Sequence, residues 1–387
     1  MFAKLMIIAG EASGDLHGSG LVRELKAIRP DVRIFGIGGD RMKSAGMELV
    51  HHINEMSVLG FWDVLKQFRF FKKVYHELVD LMDKERPDAL VLIDYPGLNL
   101  KLARAAHERK IPVLYYIAPQ VWAWGAGRVK KMAQTVDKMA VIIPFEEKMY
   151  RDAGIDAKFV GHPLLEVIAV DLNKNDFFGE LHLDPSRRTI GVLPGSRTLE
   201  VKRLLPTLAE TAAAIQKKYS DVQVLISETG SVNKEVYEEI LSDYPSFVRT
   251  PDHTYEIMHH SDLLLVASGT ATLESALFET PLIVVYKVDP LSYLLGKALV
   301  KIDAIGLVNV IAEKKIAPEF IQNNFTKEKL LPVAEKLLFD EKNRETMILE
   351  LRKIREKLGS QGASKRTAEM ALSLVAKHPK AEIANDQ

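Results

Sequence analysis

Short apolar runs alternate with longer amphipathic stretches along most of the chain. The runs are rich in β-branched residues and end near Gly, Pro or Asp, which is typical of strands buried on both faces. Such alternation predicts βαβ units, and therefore parallel sheets covered by helices on both faces. The predicted strands are Leu5–Ala9, Val32–Gly36, Ala89–Ile93, Val113–Ile117, Met139–Ile143, a shorter Lys158–Val160, Thr189–Leu193, Val222–Ser227, Leu263–Ala267 and Leu282–Val285.

The alternation is interrupted once, which divides the chain. Gly161-His162-Pro163 ends the first series, and the polar residues Asp171–Asp176 are predicted to form part of a linker. We therefore predict an α/β protein of two Rossmann-like, doubly wound domains that face each other across a cleft, because ligands of such sheets bind at the carboxyl ends of the strands. The predicted boundaries are residues 1–165, 166–350 and, for a helical tail, 351–387, with the helices from about residue 350 able to pack back on the first domain.

Composition narrows the functional classes. Lys plus Arg and Asp plus Glu both number 52, so no overall positive field favours nucleic acid. The absence of Cys excludes disulfides, thiolate metal sites and a cysteine nucleophile, and it fits a reducing cytoplasm. No apolar run approaches eighteen residues, so no membrane-spanning helix is predicted.

The stretch Thr189–Glu200 changes from a predicted strand to a predicted helix at Pro194-Gly195. Free backbone N–H groups at the start of a helix favour anions, and Gly195 and Ser196 would form that turn. Arg197 adds a planar cation that suits a diphosphate. An ordinary strand-to-helix turn with a surface arginine is an equally open interpretation.

A second turn of this kind follows Ala267. Gly269 allows close approach of the backbone, and Thr270 and Thr272 offer hydroxyl and N–H groups at the start of the helix. Glu274, one turn later, could accept hydrogen bonds from two ribose hydroxyls, although a capping interaction would also explain it. Together the two turns predict a site for a nucleoside diphosphate.

In the first half, Asp94 ends an apolar strand. A carboxylate in such a partly desolvated position favours a raised pKa and the role of a general base. The alternative is a helix cap, since Pro96 and a helix follow. Glu11, Ser13 and Asp15 in the first turn could bind sugar hydroxyls or position a base, and Ser13 or Asp15 could equally be a cap.

No metal or cofactor site is visible in the sequence. There is no Asp-x-Asp pair, the doublets His51-His52 and His259-His260 lack ligand spacing, and both the P-loop and the dinucleotide pattern are absent. We therefore predict chemistry without a metal or cofactor, in which Arg197 and helix N-termini stabilise the charge of a leaving diphosphate.

A set of motifs resembles, in order, the bacterial lipid-A-disaccharide synthases. The resemblance runs from about residue 5 to 325, and Val308 stands where some members have proline. The motifs are Gly10–Asp15, Ile93–Pro96 with Asn99, Pro119–Trp124, Phe159–His162, Leu193–Arg197, Ala267–Glu274, Gly306–Asn309 and Pro318–Gln322.

This resemblance implies an inverting, metal-independent glycosyltransferase of the GT-B fold. Such enzymes join UDP-2,3-diacylglucosamine to 2,3-diacylglucosamine 1-phosphate (lipid X), which gives a β-1,6 disaccharide and UDP. Matched residue by residue, Asp94 corresponds to the proposed catalytic base, and Arg197, Glu274 and Asn309 correspond to donor-site positions. Glu11 and Asp15 are further catalytic candidates, and Ser13, Asn99, Trp122 and Trp124 are candidates for the acceptor side.

Two other functions fit part of the pattern. A UDP-sugar epimerase also uses two Rossmann-like halves but needs no surface for acyl chains. A nucleotide-sugar-binding regulatory protein would need no turnover, and only Asp94 and the aromatic pair Trp122 and Trp124 argue against it.

Two basic, apolar stretches, Phe61–Lys73 and Leu291–Lys301, predict how the chain meets acylated substrates. Large apolar side chains at helical spacing are mixed with Lys and Arg in both stretches. This pattern favours peripheral binding to the cytoplasmic leaflet of the inner membrane, although each stripe could instead pack into the core of its own domain. The sequence leaves a homodimer open.

Overall fold

The computed structural model describes residues 3–56, 63–119, 127–290, 293 and 304–377, with the side chains of residues 63–68 and 377 left aside. The chain forms two compact units. The first comprises Met1–Glu166 and Leu358–Gln387, and the second comprises Val167–Lys357. Within the described ranges, no helix is long and apolar enough to cross a membrane.

The first unit contains a parallel seven-stranded sheet in the order β3-β2-β1-β4-β5-β6-β7. Its strands are β1 Lys4–Ala9, β2 Arg33–Gly38, β3 Glu48–His52, β4 Ala89–Ile93, β5 Val113–Tyr116, β6 Lys138–Val141 and β7 Asp156–Phe159. The helices are α1 Ala12–Ile28, α2 Asp40–Ser44, α3 Ile53–Met56, α4 Asp63–Glu85, α5 Pro96–Glu108, α6 Gly127–Met132 and α7 Pro144–Asp152, followed by α8 Leu164–Val167 at the boundary.

The second unit contains a parallel six-stranded sheet in the order β10-β9-β8-β11-β12-β13. Its strands are β8 Arg188–Leu193, β9 Val222–Ser227, β10 Val248–Thr250, β11 Leu263–Ala267, β12 Leu282–Tyr286 and β13 Glu319–Ile321. The helices are α9 Lys174–Glu180, α10 Thr198–Lys218, α11 Lys234–Leu241, α12 Thr254–His260, α13 Thr270–Leu277, α14 Leu307–Ala312, α15 Lys327–Phe339 and α16 Glu341–Lys357, with a 3-10 turn at Gln322–Asn324.

The order of the strands reverses at one point in each sheet. In the first unit the reversal lies between β1 and β4, where Ala9 pairs with Ile93. In the second unit it lies between β8 and β11, where Leu193 pairs with Val266. Open parallel sheets bind ligands at the carboxyl ends of the strands beside such a reversal. The fold therefore brings the predicted site segments together in pairs, one pair in each unit.

The α/β fold with two parallel sheets is confirmed, and the predicted strands are present with ends displaced by one or two residues. The sequence analysis missed β3, β10 and β13. All three lie at sheet edges and are half exposed, so they lack the continuous apolar run that marks a central strand.

Two predicted connections are helical in the structure. The predicted turn Gly10–Asp15 already contains the start of α1, which begins at Ala12. The predicted linker Asp171–Asp176 runs into α9, because the Asn173 side chain accepts a hydrogen bond from the Asp176 backbone N–H at 3.1 Å and caps that helix.

The C-terminal helix α17, Ala363–Lys377, belongs to the first unit and packs against α1. The carboxylate of Glu166 accepts hydrogen bonds from the backbone N–H groups of Gly362 and Ser364 at 2.8 and 3.0 Å, and from the Ser364 hydroxyl at 2.6 Å. Arg366 Nε donates to the Val160 carbonyl at 2.8 Å. The start of α17 is thus fixed by a residue that precedes it by almost the whole second unit.

Replacement of Glu166 by Ala is expected to destabilise the first unit by about 1–3 kcal/mol, because the N–H groups at the start of α17 lose their acceptor. All three tryptophans (Trp62, Trp122 and Trp124) lie in the first unit, so denaturant unfolding followed by tryptophan fluorescence reports on it. The matched control is Asp152→Ala, which removes an exposed ion pair with Lys148 and should cost no more than about 0.5 kcal/mol. Equal effects of the two substitutions would contradict this role of Glu166.

Candidate active site

Asp94 lies in a strained turn directly after β4. Asp94 and Tyr95 both have left-handed backbone conformations, with φ of 45° and 46°. The buried Asn99 side chain donates to the carbonyls of Ile93 and Asp94 at 3.1 and 2.8 Å, and the Tyr115 hydroxyl donates to the Asp94 carbonyl at 2.6 Å. Since two successive non-glycine residues in this region are costly, these hydrogen bonds determine where the Asp94 side chain lies.

The surroundings of Asp94 favour its neutral form. Partial burial raises the pKa of Asp94 to about 6, and the negative charge of Glu11 contributes in the same direction. A hydrogen bond from the Tyr95 backbone N–H opposes this shift. A carboxylate with this pKa is ionised at neutral pH and can still accept a proton from a hydroxyl, as a general base must.

Glu11 and Ser13 lie at the same edge of the sheet as Asp94. Glu11 is the residue before α1 and is exposed, and its side chain makes no capping hydrogen bond. Ser13 is exposed in the first turn of α1. The ring of Tyr95 covers Gly10 so closely that a Cβ there would lie 2.3 Å from the ring, so only glycine fits. Glu11 is therefore held beside the Asp94 turn.

The side chains of two further candidates, Asp15 and Asn99, form hydrogen bonds with backbone groups of the fold. Asp15 is buried, and its carboxylate accepts hydrogen bonds from the backbone N–H groups of Gly39, Arg41 and Met42 at 2.7, 3.2 and 3.0 Å, which fixes the start of α2. Asn99 shapes the Asp94 turn from within the core. Both residues therefore position other parts of the site, and direct contact of either with substrate stays a prediction.

A groove with a volume of about 910 Å³ lies between α4 and α5 beside this turn. Its described lining includes Glu11 and Tyr95 at one end, and aromatic and basic side chains of the two helices along its walls. The sequence analysis did not identify the residues of α5 in this groove. Their signal was the spacing of Gly97, Lys101 and Arg104, which places them on one face of a helix.

In the second unit, Glu200 already holds the predicted phosphate-binding turn. Gly195 has a φ of 111°, and a Cβ there would lie 2.6 Å from a Glu200 carboxylate oxygen. The Glu200 carboxylate accepts from the Ser196 backbone N–H at 3.1 Å and pairs with the Arg197 guanidinium at 3.2 Å. The Arg197 side chain is 80% exposed. A ligand would thus compete with Glu200 for the Ser196 N–H, whereas Arg197 contacts Glu200 only through Nη1 and, among the described residues, keeps its other N–H donors free.

The adjacent turn presents a partly buried carboxylate. Gly269 precedes α13, and the Thr272 hydroxyl is committed to the Gly269 carbonyl at 2.8 Å. Burial raises the pKa of Glu274, and a hydrogen bond with the Thr270 side chain lowers it. Glu274 therefore lies close to Thr270 at the reversal point of the second sheet.

Asn309, predicted to be a donor-site residue, is almost fully buried and holds a loop. Its Oδ1 accepts from the N–H groups of Ile316 and Ala317 at 2.8 and 2.9 Å. Its Nδ2 donates to the Ala317 carbonyl and to Glu319 at 2.8 and 2.9 Å. The side-chain amide is thus fully hydrogen-bonded within the fold, and direct contact of Asn309 with the donor stays a prediction.

Some predictions lie beyond these observations. Trp122 and Trp124 lie outside the described residues, as do Phe61, Trp62 and all of Leu291–Lys301 except Tyr293. In Phe61–Lys73 the described side chains begin at Arg69, and Phe70 and Phe71 pack against the core of the first unit. In the part of the chain that is described, no three His, Asp or Glu side chains are grouped as a metal site would require. The expectation of metal-independent chemistry stays a prediction.

Solved structures similar to this chain include UDP-GlcNAc 2-epimerases and glycosyltransferases. A UDP-GlcNAc 2-epimerase from Neisseria meningitidis bound to UDP-GlcNAc matches with a TM-score of 0.66 at 13% identity, covering 96% of this chain and 100% of that chain. A calicheamicin glycosyltransferase matches with a TM-score of 0.61 at 15% identity, covering 98% and 100%. At such identities the similarity shows the fold alone, which is that of the GT-B glycosyltransferases and the related epimerases.

Similarity of amino-acid sequence distinguishes between the glycosyltransferases and the epimerases. The family described as lipid-A-disaccharide synthetase matches residues 5–374. A lipid-A-disaccharide synthase of Geobacter metallireducens is 40% identical over 375 residues, covering 97% of this chain and 98% of the relative. One of Syntrophus aciditrophicus is 42% identical over 375 residues, covering 96% and 98%. Epimerase activity is thus not favoured, and the chain belongs to the lipid-A-disaccharide synthase family of glycosyltransferases.

Proposed function

We propose that this chain transfers 2,3-diacylglucosamine from UDP to the 6-hydroxyl of 2,3-diacylglucosamine 1-phosphate. The products are the β-1,6 disaccharide 1-phosphate and UDP. The observation that carries this proposal is the position of Asp94, a carboxylate with a pKa of about 6 beside the reversal point of the first sheet, in a chain of this family.

In the proposed reaction, Asp94 accepts the proton of the 6-hydroxyl as its oxygen attacks the anomeric carbon of the donor. The bond between this carbon and the UDP oxygen breaks, and its electron pair leaves with UDP. Attack from the face opposite the leaving group inverts the anomeric configuration. The proton then passes from Asp94 to solvent.

The donor side is proposed to lie at the reversal point of the second sheet. The Ser196 N–H and the Arg197 guanidinium bind the diphosphate in place of the Glu200 carboxylate, and the positive end of the α10 dipole adds to the attraction. Glu274 accepts hydrogen bonds from the ribose hydroxyls. No residue of this set requires a metal ion.

We further propose that the chain binds peripherally to the cytoplasmic leaflet of the inner membrane. The support is the composition of Phe61–Lys73 and Leu291–Lys301, in which large apolar side chains alternate with cations. Apolar side chains would enter the acyl boundary while the cations meet anionic headgroups.

Incubation with both lipids is the direct test of the proposed function. Formation of UDP and disaccharide is expected, whereas a UDP-sugar epimerase would convert the donor alone and a regulatory protein would bind it without turnover.

Replacement of Asp94 by Asn should lower turnover by about two to four orders of magnitude, because the amide cannot accept the proton. The affinity for UDP should stay near that of the wild type. Near-normal turnover would show that Asp94 is not the base and serves only the structure of the turn.

The pH dependence gives an independent test of the base. In the wild type, kcat/KM should rise with pH through about 6 as Asp94 loses its proton. Replacement of Glu11 by Gln removes a negative neighbour, lowers the pKa of Asp94 and should shift this rise to lower pH. The control Glu24→Gln removes a charge farther along α1 and should leave the profile unchanged. An unchanged pH profile of kcat/KM in Glu11→Gln would show that the charge of Glu11 does not affect the pKa of Asp94.

Substitutions in the donor turn should shift UDP affinity in opposite directions. Arg197→Ala loses a charge-assisted hydrogen bond worth about 1.5–3 kcal/mol and should weaken binding about tenfold or more. Glu200→Gln keeps an acceptor for the Ser196 N–H but removes the competing charge, so binding should tighten up to about fivefold. Calorimetry with UDP measures both, and Lys202→Ala is the matched control on α10. Unchanged affinity in both variants would show that UDP binds elsewhere.

Membrane binding is tested by replacing Phe61, Leu65 and Phe68 with serine. Sedimentation with anionic vesicles should fall, and activity on long-chain substrates in membranes should fall more than activity on short-chain soluble analogues. High salt should weaken the association of the wild type without abolishing it. The control Leu349→Ser alters an exposed leucine of α16. Vesicle binding by the triple variant at the wild-type level would exclude these residues from the membrane surface.

A further inference from the structure

The groove between α4 and α5 carries basic side chains that the proposed reaction does not use, and one of them, Lys72, belongs to the stretch Phe61–Lys73 proposed above to face the membrane. Lys72 projects into it from α4, and Lys101 and Arg104 project from α5. Glu11 lies at the end beside Asp94. The groove therefore has a basic wall of Lys72, Lys101 and Arg104 along the two helices, and Glu108 also belongs to its lining.

Two of these cations are not neutralised by the protein. Among the described side chains, no Asp or Glu forms an ion pair with Lys72 or Lys101, whereas Arg104 is paired with Glu108 at 3.0 Å. Both lysines are exposed at the groove. Each ammonium group is a compact charge with rotatable donors, which suits a phosphate whose orientation is set by the rest of the ligand.

The groove also has an apolar wall beside these cations. Phe71 and Tyr75 of α4, together with Tyr95 and Leu98, contribute to its lining. Attraction between unlike charges is stronger next to apolar groups than in open water. A phosphorylated ligand that also carries apolar chains matches this wall better than inorganic phosphate does.

Lys101 lies on α5, which begins at Pro96, two residues after Asp94. From Pro96 to Lys101 the helix rises about 7.5 Å, at 1.5 Å per residue. In a pyranose, C1 and C5 flank the ring oxygen, and C5 carries the exocyclic C6 with the 6-hydroxyl. A sugar with its 6-hydroxyl at Asp94 and its ring in the groove would carry its anomeric substituent toward the helices that bear the lysines.

We propose that Lys72 and Lys101 form the subsite for the anomeric phosphate of the acceptor. This inference rests on the proposed function, and it adds the residues that recognise the phosphate. The phosphate dianion is held by the two ammonium groups, and Arg104 adds to the positive field. With the phosphate fixed, the 6-hydroxyl is the one presented to Asp94, so the subsite also determines which hydroxyl reacts.

The double variant Lys72→Gln with Lys101→Gln tests this subsite. Activity is measured in neutral detergent micelles with two acceptors, 2,3-diacylglucosamine 1-phosphate and the same lipid without its phosphate. For the phosphorylated acceptor at pH 8, where Asp94 is ionised with or without the lysines, KM should rise about tenfold or more while kcat stays within about twofold. For the acceptor without phosphate, KM should not change, so the wild-type preference for the phosphate is lost. The control Lys84→Ala removes an exposed charge of α4 outside the groove and should change neither KM.

The other possible outcomes would contradict either the subsite or the proposed function. Equal increases of KM for both acceptors would overturn the subsite, and so would a wild-type enzyme without preference for the phosphate. An effect seen only on anionic vesicles and absent in neutral micelles would assign the lysines to lipid headgroups and overturn the proposal. Absence of disaccharide with the wild type would contradict the proposed function itself. If tryptophan fluorescence shows that the double variant is unfolded, Lys101→Gln alone must show the same selective increase.

Discussion

The amide of Asn99 holds the turn that carries Asp94, the residue on which the proposed chemistry depends. Its Nδ2 donates to two successive carbonyls, those of Ile93 and Asp94, and the Tyr115 hydroxyl donates to the second of them. Because Asp94 and Tyr95 are both left-handed, the chain would relax without these hydrogen bonds. The turn places the ring of Tyr95 over Gly10 and the Asp94 carboxylate near Glu11. Backbone strain, burial and charge repulsion are thus combined at one residue.

The charged groups beside the reversal points of the two sheets are arranged differently. Two carboxylates lie close together in the first unit, whereas a carboxylate is paired with a cation in the second. In the first unit the carboxylate of Asp94 has a negative neighbour, so its charged form is disfavoured. In the second unit Arg197 and the Ser196 N–H are held by the carboxylate of Glu200. The first arrangement suits the base proposed above. In the second, a diphosphate bound as proposed would compete with an internal carboxylate for the Ser196 N–H.

The sequence predicted the fold well where burial is complete and poorly where it is not. Central strands such as β4 and β11 are apolar along their whole length because helices cover both faces. The edge strand β3 includes His51 and His52 and carries no such signal.

The prediction of the site from the sequence was limited for a different reason. Polar residues near turns can serve a ligand or the backbone, and the choice depends on distant partners. For Asp15 the decisive partners are the N–H groups of α2, more than twenty residues away, and no local pattern could reveal them.

The basic wall of the groove bears on the base as well as on recognition. A phosphate dianion one sugar ring away from Asp94 would add to the repulsion from Glu11 and raise the pKa of Asp94 further. A carboxylate that became protonated at neutral pH when its substrate arrived could not remove the proton of the hydroxyl. Cations that face the phosphate offset its charge within the groove, so the field at Asp94 changes little on binding. The same two lysines would therefore orient the acceptor and preserve the ionised base.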